Sequence, residues 1–357
     1  MIKLLEGPQT LGRGPLFWSC FLVVLTGALI YPVFADSYDV GNFSYFLIWI
    51  FMALGLCLIW GYGGMLSFGQ TLFFGVAGYA YGVLAINMGG GTTTIVALVV
   101  SVVIAMIAAG ILGYFMIWGG INGIFFGIVT LSATLVLAFF LGQTAGPEWR
   151  IGDARLNGFN GMKGMDPLAI GSVYIEGSAL YYLMVGLIVV VYLALRMLVN
   201  SGVGNVIVAT RENPQRAEML GYDVRKYQLL TFVIGSGLAG LSGALYTSWG
   251  QFITPSSIGL PAAAMPIVWV AFSGRNDLTA TLVGSFLLLF GFQTITVYSQ
   301  QAALVLMGAL LLATVMAAPQ GFVLGIGKFI ADRTARRGKP GVKSALPDQS
   351  QLKPDGA

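Results

Sequence analysis

The sequence contains no histidine, two cysteines and few charges: 18 Lys plus Arg and 14 Asp plus Glu in 357 residues. Without histidine there is no usual axial ligand for haem, no base for a serine hydrolase and no histidine zinc site. Cys20 and Cys57 are too few and too separated for a disulfide framework or a metal cluster. Each reads as an apolar packing residue inside a helix. Charged residues make up 9% of the chain, against roughly 25% in soluble domains. Such a chain cannot cover a water-facing surface, which excludes a cytosolic enzyme, a nucleic-acid binder and a disordered protein. No catalytic residue, no metal site and no cofactor of its own are expected.

The few charges are also unevenly placed. None falls between Asp39 and Glu148, and further charge-free runs cover 14–35, 177–195, 227–274 and 278–327. A helix needs about 20 apolar residues to cross the hydrocarbon. The runs therefore predict an all-α polytopic membrane protein with about ten crossings: 16–35, 43–60, 67–87, 94–118, 121–142, 178–199, 228–249, 261–274, 279–297 and 301–318. The span 261–274 is short and holds Pro261 and Pro266, so a broken or re-entrant helix is expected there. Continuous apolar blocks exclude a membrane β-barrel, whose strands alternate. Basic residues mark cytoplasmic loops. Lys3 and Arg13, then Arg211, Arg216, Arg225 and Lys226, then Arg275, all fall on one side of a ten-span scheme. This predicts a cytoplasmic N-terminal segment 1–15, a membrane domain 16–325 and a basic, disordered cytoplasmic tail 326–357. It puts the loop 143–177 outside and the loop 200–227 inside. No ionisable group is found well within a span, so a proton relay is not expected. Gly338-Lys339-Pro340-Gly341-Val342-Lys343-Ser344 lacks the order of a phosphate loop, so energy for uphill movement must come from another subunit.

What the chain has in excess is glycine, 50 residues. Most glycines are expected to let helices pack closely. The stretches 74–82 and 234–243 resemble each other loosely. Gly61, Gly63 and Gly64, and again Gly119 and Gly120, look like helix breaks, which expose backbone dipoles to a polar solute. The spans also carry uncharged polar residues: Ser67, Gln70, Thr71, Asn122, Thr130, Ser132, Thr134 and Gln293. As a set they describe a pathway lining for a neutral or zwitterionic solute. Ser67-Phe68-Gly69-Gln70-Thr71 directly follows a glycine break and is the leading candidate.

The loop 200–227 is punctuated like a short helix. Asn213 is a good N-cap, Pro214 suits the first helical position and Gly221 suits the left-handed position past the end. A helix of two turns, 214–220, is unstable alone and needs a partner surface. The run Arg211-Glu212-Asn213-Pro214-Gln215-Arg216-Ala217-Glu218-Met219-Leu220-Gly221-Tyr222 resembles the coupling region of permease subunits of branched-chain amino acid ABC importers. Trp60-Gly61-Tyr62-Gly63-Gly64-Met65-Leu66-Ser67-Phe68-Gly69-Gln70, Gly123-Ile124-Phe125-Phe126-Gly127-Ile128-Val129-Thr130-Leu131 and Phe159-Asn160-Gly161-Met162 resemble the same family, and together these pieces cover most of 45–325.

The resemblance implies a multi-pass subunit of a bacterial inner membrane, surrounded by lipid, with four kinds of consequence for partners and roles. A second, homologous permease would complete the path. Two cytosolic ATPases would hold the ATP and Mg and hydrolyse the nucleotide. A periplasmic binding protein would deliver the solute to the outer loop. Arg211, Glu212, Asn213, Pro214, Arg216, Glu218 and Gly221 would form the ATPase-coupling element. The chain departs from the family at Gln70, where histidine is frequent, and at Ser273-Gly274-Arg275-Asn276-Asp277-Leu278-Thr279. Trp60-Gly61-Tyr62 and Val268-Trp269-Val270-Ala271 look more like the urea and short-chain amide branch. Four readings stay open: an amino acid importer subunit, a urea or amide importer subunit, a stand-alone channel or ion-coupled carrier, and a purely structural assembly subunit.

Overall fold

The computed structural model describes residues 5–10, 12–317, 321–323 and 325; the expected basic tail 326–357 lies outside them. The chain is an all-α polytopic membrane protein. Its helices are α1 Gly14–Phe34, α2 Ser37–Leu56 prolonged by a π-helical turn Cys57–Tyr62, α3 Gln70–Met88, α4 Thr93–Trp118, α5 Ile124–Gly142, α6 Gly177–Asn200, α7 Gly202–Glu212, α8 Pro214–Met219, α9 Val224–Gly250, α10 Leu260–Ser273, α11 Leu278–Tyr298 and α12 Gln300–Ala317. Among the described residues nine helices are long and apolar enough to cross a membrane, and α12 is a shorter apolar one. The expected break in 261–274 is absent. Pro261 sits in the first turn of α10, where its missing N–H costs nothing, and the helix runs on through Pro266.

Helix α9 occupies the centre and packs on α2, α3 and α4; α6 flanks α2, and α10, α11 and α12 form a second group beside α2. Small residues make this possible. Helix α4 buries Ala97, Ser101, Ala105, Ala109 and Gly113, one per turn, while Val99, Val103, Ile107 and Ile111 are exposed. The i, i+4 spacing puts the small side chains on one face, which meets protein, and the large aliphatic ones on the face left for lipid. Gly55 of α2 and Gly235 of α9 meet backbone to backbone, and a Cβ on either would overlap the other's carbonyl oxygen. The two glycine-rich stretches of the sequence thus lie in α3 and α9, which pack on each other.

The two ends of the bundle differ. At one end 143–177 forms short antiparallel pairs: β1 Arg150–Ile151 with β2 Ala154–Arg155, and β4 Ala169–Ile170 with β5 Val173–Tyr174. Between them β3 Met162–Lys163 pairs with β6 Phe252–Ile253, which ties this segment to the end of α9. Helix ends hold it down: the Leu168 amide donates to Ser248 Oγ at 3.0 Å, the Ala169 amide to Thr94 Oγ1 at 2.9 Å, and Tyr81 donates to the Asp166 carbonyl at 2.9 Å. The opposite end carries Arg211, Arg225 and Arg275 together with the N-terminal segment.

Two sequence expectations are corrected here. Cys20 is exposed on α1 rather than packed; only Cys57 is buried. Arg196, inside the span expected at 178–199, is fully buried. Its guanidinium donates to the Leu5 and Gly12 carbonyls and, at 2.7 Å, to the Tyr192 hydroxyl, and it lies over the Phe17 ring. A buried cation is tolerated because its donors are met and aromatic faces surround it. Arg196 thereby ties Leu5 and Gly12 to the end of α6, and Tyr62 bonds the Gln9 carbonyl at 3.0 Å.

Candidate functional site at the broken helix

Helix α2 does not end cleanly. Its last turn widens to a π-helix at Cys57–Tyr62, Gly64 takes φ +74, and the chain runs non-helically to Gln70. Non-helical backbone in a membrane protein must find other partners for its N–H and C=O groups. Helix α5 supplies them. The Phe68 amide donates to Thr130 Oγ1 at 3.1 Å, and Thr134 Oγ1 donates to the Thr130 carbonyl at 2.8 Å and reaches the Phe68 carbonyl at 3.4 Å. The i, i+4 spacing of the two threonines matches the reach of one residue's backbone. Ser67 Oγ accepts from the Gly69 amide at 3.1 Å, ahead of α3, and Thr71 bonds the Ile258 carbonyl at 3.3 Å. Gln70 opens α3. It is 1% exposed, and neither its amide nitrogen nor its amide oxygen has a hydrogen-bond partner.

Five of the eight lining candidates are therefore gathered: Ser67, Gln70, Thr71, Thr130 and Thr134. The other three stand apart. Ser132 is exposed on α5 and bonds the Ile128 carbonyl of its own helix. Gln293 is half-buried on α11, which packs on α2, α10 and α12 and not closely on α3 or α5. Asn122 lies in the turn between α4 and α5 and bonds the Gly120 carbonyl at 3.1 Å. Gly119 and Gly120 belong to that same turn between two helices, rather than to a break within one.

The segment 200–227 is built largely as its punctuation predicts, with an additional helix. Asn213 Oδ1 accepts from the Arg216 amide at 2.9 Å, Pro214 starts α8, and Gly221 has φ +86. Ahead of it stands α7, capped by Ser201. On α8 only Ala217 is buried; Arg216 and Glu218 are exposed, and Met219 and Leu220 beyond it are 87% and 71% exposed. Asp223 caps α9 and pairs with Lys226 at 3.1 Å; the hydrogen bond from Lys226 holds its carboxyl below the usual range.

Arg211 joins this element to the helix break. Its guanidinium donates to the Gly61 carbonyl of the π-turn and pairs with Glu212. A Cβ at Gly64 would fall on the Arg211 side chain, and a Cβ at Gly61 would overlap the Arg275 carbonyl. Cys57 Sγ donates to that same carbonyl at 3.2 Å. A cleft of about 470 Å³ lies between the two elements, lined among others by Gly64, Asn122, Arg211, Pro214, Glu218 and Arg225. Glycines and basic residues far apart in sequence thus meet around one cleft. Arg275 and Cys57 were missed in the sequence because each signals only through a contact more than two hundred residues away. Arg196 gave a signal, the one charge within the apolar span 178–199.

An apolar helix bundle with a helix broken inside it, and a contact from Arg211 of α7 to that break, define a multi-pass membrane protein. The chain belongs to the family described as branched-chain amino acid transport system / permease component, whose sequence profile matches residues 40–315. It is similar to the probable branched-chain amino acid transport permease protein LivM of Methanocaldococcus jannaschii, with 25% identity over 265 residues, covering 67% of this chain and 76% of that protein. No solved structure matches it.

Proposed function

We propose that the chain is a permease subunit of an ATP-driven ABC importer in a bacterial inner membrane, carrying a small zwitterionic nitrogenous solute, above all branched-chain or other hydrophobic amino acids. The family and the archaeal relative's description support the solute class, and the uncharged, hydroxyl- and amide-bearing break at Ser67–Thr71 suits a solute without net charge. The observation that carries the mechanism is the Arg211 contact to the Gly61 carbonyl. ATP and Mg would be held by two cytosolic ATPases, one of which docks on α8 and its exposed Met219 and Leu220. Movement of α7 and α8 would pull on the π-turn through Arg211 and rock α2 and α3, exposing the path alternately to each side. A second permease would complete the path, and a periplasmic binding protein would load it at the strand-capped end, with the basic end in the cytoplasm.

The first test is a pull-down of the tagged chain from mild detergent, followed by reconstitution with what accompanies it. Recovery of a second multispanning protein and nucleotide-binding subunits, and ATP-dependent leucine uptake, are expected. A chain that emerges alone and passes solute without ATP would overturn the importer reading; uptake of urea but not leucine would move it to the amide branch. In the assembled transporter Arg216→Glu is expected to abolish coupled uptake while the membrane core stays folded. Normal coupled uptake would remove α8 from the docking role. Glu212→Arg acts differently, because Glu212 is the partner of Arg211 and its loss also disturbs the grip on Gly61.

A further inference from the structure

A column of aromatic rings, absent from the lining candidates read in the sequence, leads toward the broken helix. Tyr45 and Trp49 lie one turn apart on α2, and Tyr246 and Trp249 one turn apart on α9; all four are partly exposed. The pairs face each other, with ring centroids 5.3 Å apart for Tyr45 and Trp249 and 5.5 Å for Trp49 and Tyr246. Beneath them Trp49 stacks on the buried Phe74 of α3 at 5.0 Å and meets Trp269 of α10 at 5.8 Å. Phe74 is one turn from Gln70 on α3, so the two share a helix face. The column therefore runs from the strand-capped end of α2 and α9 toward a carboxamide that is buried with its donor and acceptor both unused.

Membrane proteins place Tyr and Trp at their interfaces, and an interfacial belt is the simpler reading of such rings. Two observations oppose it. Trp49 is the thirteenth residue of the span Ser37–Tyr62, about 18 Å from its start at 1.5 Å per residue, well below the interface. Its Nε1 is buried and meets no acceptor at hydrogen-bond geometry, whereas a belt indole turns its N–H toward headgroup water.

We propose that this column is the solute-recognition surface: the rings of Tyr45, Trp49, Tyr246 and Trp249 take an aliphatic side chain, and Gln70 takes the zwitterionic head. The chemistry fits one class of ligand. A carboxamide donates to a carboxylate and accepts from an ammonium, and it adds no net charge. No Asp, Glu, Lys or Arg occurs in 40–147 or 227–274, so α3, α10 and these faces of α2 and α9 bring none either. The rings offer area for an alkyl group and a π-face for a neighbouring ammonium. The structure holds the column collapsed, with Trp49 flat on Phe74; solute entry requires these rings to part.

The proposal rests on the importer reading, and its test separates the two. The assembled transporter in proteoliposomes is given ATP with labelled leucine or alanine. Tyr246→Leu is expected to reduce the preference for leucine over alanine about tenfold, the worth of lost side-chain contacts. Trp49→Phe keeps a ring and is expected to retain the preference. Gln70→Leu is expected to raise KM for both solutes alike. A photoreactive diazirine analogue of leucine should crosslink to Tyr45, Trp49, Tyr246 or Trp249, with excess leucine competing; this reads the surface without relying on a variant's folding. Wild-type uptake with an unchanged preference in Tyr246→Leu, or crosslinks elsewhere, overturns the recognition surface and leaves the importer standing. Failure of the wild type to import any amino acid sinks both.

Discussion

Thr130 serves three backbone groups with one hydroxyl: it accepts from the Phe68 amide and donates between the Phe126 and Gly127 carbonyls of its own helix. Thr130→Val keeps the shape and leaves the Phe68 amide without its acceptor, a loss of about 1–3 kcal/mol for a buried donor. The expected outcome is a lower thermal midpoint of the purified protein in detergent, largely restored in Thr130→Ser. An unchanged midpoint in the valine variant would mean that the segment 65–69 is held by something else. Arg211 is the residue-scale joint between α7 and the break. Arg211→Ala is expected to reduce solute stimulation of ATP hydrolysis in the assembled transporter by about 5- to 150-fold, the usual span of a coupling free energy. Full stimulation in that variant would show that force reaches α2 by another route.

At the scale of elements, the short helix α8 has too few turns to persist by itself, so its cap and its neighbour carry it. Asn213→Ala removes the bond to the Arg216 amide and costs about 1 kcal/mol. Faster hydrogen exchange over 213–221, with α9 and α3 unaffected, is the expected result; equal exchange would assign the stability of α8 to its packing on α7 and α9 alone. Caps and turn residues made α8 legible in the sequence, because Asn213, Pro214 and Gly221 act within a few residues of themselves. Helix α7 was not anticipated. Gly202 and Gly204 open it and weaken its local preference, and packing of Val206 and Ile207 decides it. The unbroken α10 has the converse origin: Pro266 argues locally for a break, and tertiary packing overrides it.

Over the whole molecule, the two ends are chemically distinct, one capped by short strands and one gripped by arginines. In the proposed orientation a single cysteine at Asp153→Cys, in a Cys20→Ala and Cys57→Ala background, is labelled by an impermeant maleimide from outside the cell, and Glu218→Cys only after the membrane is opened. The reverse pattern would invert the topology. The membrane class, the helix count to within one and the capped helix α8 were all determined by the sequence alone. Each follows from apolar length, from where charges are missing, or from residues that act on their near neighbours. Which of the polar candidates meet was decided only in three dimensions. Thr130 and Thr134 find the Phe68 backbone, Ser132 turns away two residues from each, and Gln293 sits on a helix packed elsewhere. The burial of Arg196, the grip of Arg211 on Gly61 and the aromatic column at Trp49 are likewise contacts between residues tens to hundreds of positions apart. Helical periodicity sets the face of a side chain, but the rotation and depth of each helix against its neighbours are set by how small residues such as Gly55 and Gly235 let the backbones close.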